Sequence, residues 1–80
     1  EDLEEMLLRE YAGRIVRMRQ IYEEHNIDKP YILKNYKHIL KKMEAQGKII
    51  TDPPADKRSK RNGEVTFADN VVVTFSPRDN

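Results

Sequence analysis

The sequence contains no cysteine and no tryptophan, and only two histidines, three glycines and four prolines in eighty residues. The lack of cysteine excludes a disulfide framework and any thiolate metal site, and it fits a reducing compartment, so a cytoplasmic location is expected. His25 and His38 are thirteen residues apart, and neither HxxxH nor HExxH spacing occurs, so no metal site is expected. No Gly-rich phosphate loop is present, and the two serines, Ser59 and Ser76, fall in a loop and near the end of the chain. The adjacent carboxylates Glu4/Glu5 and Glu23/Glu24 diverge on a helix and read as surface charges. His25 reads as a cap or surface group near a helix end. A nucleophile with its base, or a metal, is what an active site needs. The sequence therefore reads as a non-enzyme without cofactors. There is also no apolar run long enough to span a bilayer and no signal-like segment, so no membrane partner is expected.

What is present is unevenly distributed charge. The net charge is only +1. Residues 1–28 carry four arginines against eight acids, net −4, whereas residues 29–63 carry ten lysines and arginines against three acids, net +7. Such asymmetry is an argument about partners. The length suits a single domain over residues 1–80, with residues 1–2 and 77–80 as disordered tails. The first residues, Glu-Asp-Leu-Glu-Glu without a Met, suggest a piece of a longer protein.

Residues 2–11 read as a first helix, with Leu3, Met6 and Leu7 at helical spacing and Asp2, Glu4 and Glu5 complementing its positive end. Gly13 suits a C-terminal cap. A short strand through Ile15 and Val16, pairing with a wing sheet, is expected next, then a second helix over residues 18–25. One continuous helix over residues 2–25 is the alternative, since a single mid-helix Gly costs only about 1 kcal/mol. Residues 26–30, Asn-Ile-Asp-Lys-Pro, form a turn. A third helix runs from about Pro30 to Gln46, with Ile32, Tyr36, Ile39, Leu40 and Met43 on one face and Lys34, Lys37, His38 and Lys41 on the other. Gly47 ends it, Lys48-Ile49-Ile50-Thr51 is a strand, and Pro53-Pro54 stops that strand. Asn62-Gly63 is a tight-turn signal. Val65, Phe67, Val71, Val73 and Phe75 alternate with their neighbours as strand residues do. Asp69-Asn70 marks a further turn.

Two regions carry binding chemistry. The outer face of the third helix holds Lys34, Asn35, Lys37, His38 and Lys41, and a helix fits the DNA major groove, where Lys and Asn can address guanine and adenine edges. The bland alternative is a solvated Lys-rich face. The loop Lys57-Arg58-Ser59-Lys60-Arg61 places four cations in five residues between two strands, as in a projecting wing that follows a phosphate backbone. Its bland alternative is a loop kept soluble by charge.

These residues also resemble a family. Ile21-Tyr22-Glu23-Glu24-His25, Lys29-Pro30-Tyr31-Ile32, Lys34-Asn35-Tyr36-Lys37, Glu44-Ala45-Gln46-Gly47-Lys48-Ile49, Asp52-Pro53-Pro54 and Val65-Thr66-Phe67-Ala68-Asp69-Asn70-Val71, ending in Val73-Thr74-Phe75, look like the winged helix-turn-helix at the C-terminus of three-Cys-motif partner proteins of bacteria and phages. The resemblance covers about residues 14–77. It implies a winged-helix fold and a nucleic-acid-binding role beside a separate catalytic-type region. That region and the three-Cys motif are absent here, so no activity carries over.

The expected fold is α+β, three helices with a two- or three-stranded antiparallel wing. Its expected core is Ile15, Ile21, Tyr22, Ile32, Tyr36, Ile39, Leu40, Met43, Ile49, Val71, Val73 and Phe75. The first functional expectation is binding of double-stranded DNA through Lys34, Asn35, Lys37, His38 and Lys41 on the helix and Lys57, Arg58, Lys60 and Arg61 on the wing. RNA stays an alternative, because phosphate contacts carry no sequence identity. The second expectation is a protein-interaction or scaffolding winged helix, docked on the rest of its polypeptide or on a protein partner.

Overall fold

The computed structural model describes residues 2–77. Helix α1 (Leu3–Glu10) starts where the Asp2 carboxylate accepts the Glu5 N–H at 2.8 Å, satisfying one of the donors a helix start leaves open. Asp2, counted with the tail in the sequence reading, is thus a helix cap. Of the rest of the expected tails, Pro77 is exposed and in no helix or strand, and Glu1 and residues 78–80 lie outside the described residues. The chain breaks after α1 as expected. Gly13 adopts a φ of 74°, in the left-handed region that side chains other than hydrogen disfavour, and Ile15–Arg17 follow as β1. Helix α2 (Met18–His25) starts directly after this strand, its first N–H groups donating to the Val71 and Asp69 carbonyls at 2.9 and 3.0 Å.

Helix α3 (Leu33–Ala45) begins later than its apolar pattern suggests. The Ile32 N–H donates to Asn35 Oδ1 at 2.8 Å, which makes Ile32 the last residue outside the helix and turns its side chain outward, 61% exposed. Ile32 therefore leaves the expected core. After Gly47 come β2 (Ile49–Asp52), a 3-10 turn (Ala55–Lys57), the hairpin strands β3 (Lys60–Arg61) and β4 (Glu64–Val65), and β5 (Val72–Phe75).

The strands form two antiparallel sheets. The larger has the order β1–β5–β2, and its register sets Ile15 and Ile50 on either side of Thr74, and Val16 and Thr51 on either side of Val73. The smaller sheet is the β3–β4 hairpin, closed by Asn62 and Gly63 with φ values of 53° and 82°. Two successive left-handed residues are what a two-residue type I′ turn requires.

The helices cover one face of the larger sheet, and the core lies between. Leu7, Met18, Ile21, Tyr36, Leu40, Met43 and Val73 are fully buried, with Leu3, Tyr11, Val16, Ile49, Phe67, Val71 and Phe75 nearly so. The β1 residue in the core is Val16 and not Ile15, which is 68% exposed. Strand side chains alternate between faces, and an adjacent β-branched pair leaves the register to the partner strand. Tyr22 and Ile39 pack at the margin. His25 is buried too, with Nδ1 2.7 Å from the Tyr36 hydroxyl and Nε2 3.1 Å from Glu10. Its surface assignment fails because both partners come from other helices. Tyr36 is the aromatic hub, meeting Tyr22, His25 and Tyr31 edge to face at 5.6, 5.5 and 6.1 Å. Among the described residues no helix is long and apolar enough to cross a membrane.

Candidate nucleic-acid interface

The wing is positioned by one buried side chain. Arg58 points inward from the loop, and its side chain is only 3% exposed. Its Nη2 donates to Glu44 Oε1 at 2.6 Å and its Nη1 to Glu44 Oε2 at 2.9 Å, the two-pronged geometry that a planar guanidinium favours. Nη1 also reaches Thr51 Oγ1 at 2.9 Å and the Pro53 carbonyl at 3.0 Å, and Nε reaches the Thr66 carbonyl at 2.8 Å. The guanidinium lies 4.8 Å from the centroid of the Phe67 ring. One residue therefore ties α3, β2 and both legs of the wing together. The Arg58 hydrogen bonds hold the Glu44 carboxyl below the usual carboxylate range. This corrects the sequence reading: Arg58 is not on the outer surface of the loop, because its charge is already engaged by Glu44.

The base of the hairpin is fastened twice more. Both the N–H and the hydroxyl of Thr66 donate to the Ser59 carbonyl at 2.9 Å. Above this base, β3 and β4 project with their tip exposed.

Between the wing and the outer face of α3 runs a groove of about 640 Å³. Lys34, Lys37, His38 and Lys41 line it from the helix; Arg61, Glu64, Thr66 and Phe67 line it from the hairpin side. Four of the expected residues on the helix and one on the wing thus converge on one concavity. Asn35 does not join them. It faces a second hollow between the starts of α1 and α3, and its side-chain carbonyl is engaged by the Ile32 N–H. Lys57 and Lys60 are exposed on the wing outside the groove lining.

The cations separate into two sets. Lys37 pairs with Asp69 at 3.2 Å, where Arg19 also reaches the same carboxylate at 3.3 Å. Their contacts, Lys37 first, keep the Asp69 carboxyl low. Lys42 lies 3.5 Å from Glu4, and Lys48 bonds the same carboxylate, holding it low as well. With Arg58, these are the basic residues of the 29–63 segment that meet acids. Lys29, in the turn before α3, and Lys34, Lys41, Lys57, Lys60 and Arg61 have no acidic partner among the described residues. The last five sit on the groove face of α3 and on the wing. His38, exposed in the groove, has no hydrogen-bond partner among them either.

Sequence reasoning missed Thr66, Phe67 and Glu64 as parts of the groove. Phe67 was legible as a strand-like apolar position, but its place beneath the wing depends on Arg58, which stacks on it.

Comparison with known families agrees with this architecture. Residues 1–56 match the family model of the GMT-like wHTH domain, and the chain belongs to that family. The match takes in the three helices, β1 and β2, and ends before Arg58 and the wing. No significant match is found among curated proteins or solved structures.

Proposed function

We propose, from membership of this winged-helix family and from the charge on its groove, that the domain binds double-stranded DNA. Helix α3 enters the major groove with Lys34, His38 and Lys41 toward base edges and phosphates, and the β3–β4 wing lays Lys60 and Arg61 along the backbone, with Lys57 beside them. The observation that carries this reading is the partition of cations. Lys37, Lys42, Lys48 and Arg58 are matched by acids of the same chain, whereas five of the six basic residues of the 29–63 segment left without an acid belong to the groove face of α3 and the wing, Lys29 in the turn before α3 being the sixth. An unpaired cation is the one that can displace counterions from phosphate. Lys37 and Asn35 take secondary places, the first through its Asp69 pair and the second as the cap of α3. Glu64, in register opposite Arg61, limits the positive field at the wing tip.

The test is a titration of the domain against random duplex DNA at two salt concentrations, with an RNA duplex of the same length in parallel. Affinity for DNA that falls steeply with salt supports the reading. Absence of duplex binding at low salt overturns it for this domain. Preference for the RNA duplex would reassign the groove to A-form helices, whose shape and 2′-hydroxyls are read across the minor groove.

A further inference from the structure

The face of the larger sheet turned away from the helices carries two exposed isoleucines beside a charged row. The β1–β5–β2 register arranges it in two rows. One row is Ile15, Thr74 and Ile50; the other is Arg17, Val72 and Asp52. Ile15 and Ile50 are 68% and 70% exposed, among the most exposed large apolar side chains in the structure. In the second row a cation stands at one edge and an acid at the other. With neighbouring strands about 4.8 Å apart, β5 holds the Arg17 and Asp52 backbones about 10 Å apart. Neither Arg17 nor Asp52 has an ion-pair partner among the described residues.

We propose that this face binds a second copy of the chain, sheet against sheet, about a two-fold axis running along β5. Such an axis exchanges the two edges of the sheet while keeping each row at its own level. Ile15 then meets the second copy's Ile50, Val72 meets its counterpart, and Arg17 meets the second copy's Asp52. Every contact is repeated by symmetry, as a two-fold interface requires. The two-fold axis running across the strands fails, because it sets Ile15 against Arg17 and Ile50 against Asp52, burying charge on apolar groups. Sheets packed face to face sit about 10 Å apart with strands nearly aligned, a spacing that side chains of this size fill. The charges explain the choice of a copy over an unrelated partner: the row is its own complement. A patch of six residues a side is small. The association is therefore weak, with a dissociation constant of roughly 10–1,000 μM. This proposal is independent of DNA binding, since the groove lies on α3 and the wing.

The test is sedimentation equilibrium of the whole chain from about 10 μM to 1 mM. The wild type should move from 9.5 kDa toward twice that mass. Arg17→Glu and Asp52→Arg each place like charges opposite one another and should raise the dissociation constant at least about fivefold. Combining them restores opposite charges across the axis and should bring it back to within about threefold of wild type. Ile50→Glu should abolish association. All four variants change exposed positions only, and circular dichroism checks their folding. A wild type that stays at 9.5 kDa up to about 1 mM overturns the proposal and leaves the face to another segment or another protein. A dimer indifferent to the single charge reversals, or not rescued by their combination, also overturns it.

Discussion

Arg58 and its three basic neighbours in the loop look alike in sequence, yet one of them is a core residue. A run of Lys and Arg carries no mark of which member has a partner fourteen residues back in a helix. The same blindness applied to His25, whose partners Glu10 and Tyr36 lie on other helices. The consequence can be measured. Arg58→Ala leaves the half-buried Glu44 carboxylate without its donors and should cost about 3–5 kcal/mol, the range for breaking a buried pair. Lys57→Ala, one position away and exposed, should change stability by less than about 0.5 kcal/mol in the same urea denaturation. The pair also sets an acid limb. Arg58 lowers the Glu44 pKa in the folded state, so the stabilisation is complete above the unfolded carboxylate value of about 4.3 and is lost as pH falls through the lower folded value. Stability measured from pH 7 to pH 2 should therefore decline below about pH 4. In Glu44→Gln that decline should be shallower, and its plateau at neutral pH lower.

Elements were easier to read than residues, because their signals are local. The Gly13 break, the Gly47 stop and the Asn62-Gly63 turn each need only two or three residues to act, and each is found where the sequence placed it. The faces of α3 were equally legible, since its apolar spacing is set by helix geometry alone. Leu40→Ala should cost about 2–5 kcal/mol in urea denaturation, whereas His38→Ala on the groove face should cost far less. What the local signals did not contain was register. Ile15 and Val16 are interchangeable in a strand until β5 selects the inward one, and Ile32 belongs to the apolar stripe until Asn35, accepting its N–H, starts the helix after it. At the wing, Gly63→Ala forces a side chain into a left-handed residue at about 1–2 kcal/mol. The two-residue strands beside it have little else to hold them, so the change should appear as faster amide exchange confined to β3 and β4, with the urea midpoint little altered.

At the scale of the whole molecule, the sequence's charge asymmetry became a surface only after folding removed the internal pairs. The total of +7 over residues 29–63 overstated the binding face, because Lys37, Lys42, Lys48 and Arg58 are matched by Asp69, Glu4 and Glu44. A neutralised wing should therefore keep Arg58. Replacing Lys57, Lys60 and Arg61 with Gln should leave the urea midpoint unchanged and flatten the slope of log affinity against log salt by roughly 2–3 units, at about 0.9 for each phosphate no longer neutralised. Adding Arg58→Gln to that set should lower stability as well, which separates the structural cation from the three exposed ones. The Lys34/Lys41 double replacement should change sequence preference in addition to affinity, checked by competition between duplexes of different sequence.

The clamp under the wing also divides the hairpin into a foot and a tip. Everything below Ser59 and Thr66 is fixed by Arg58 to three separate elements; everything above is a two-residue ladder and a turn exposed to solvent. Exposed loop tips of this kind are where insertions are best tolerated. The stretch over residues 60–65 is thus a natural grafting site. A longer arm, a different charge pattern or a reporter peptide installed there would be held on the same rigid foot, facing the same groove, with the helical core unaltered.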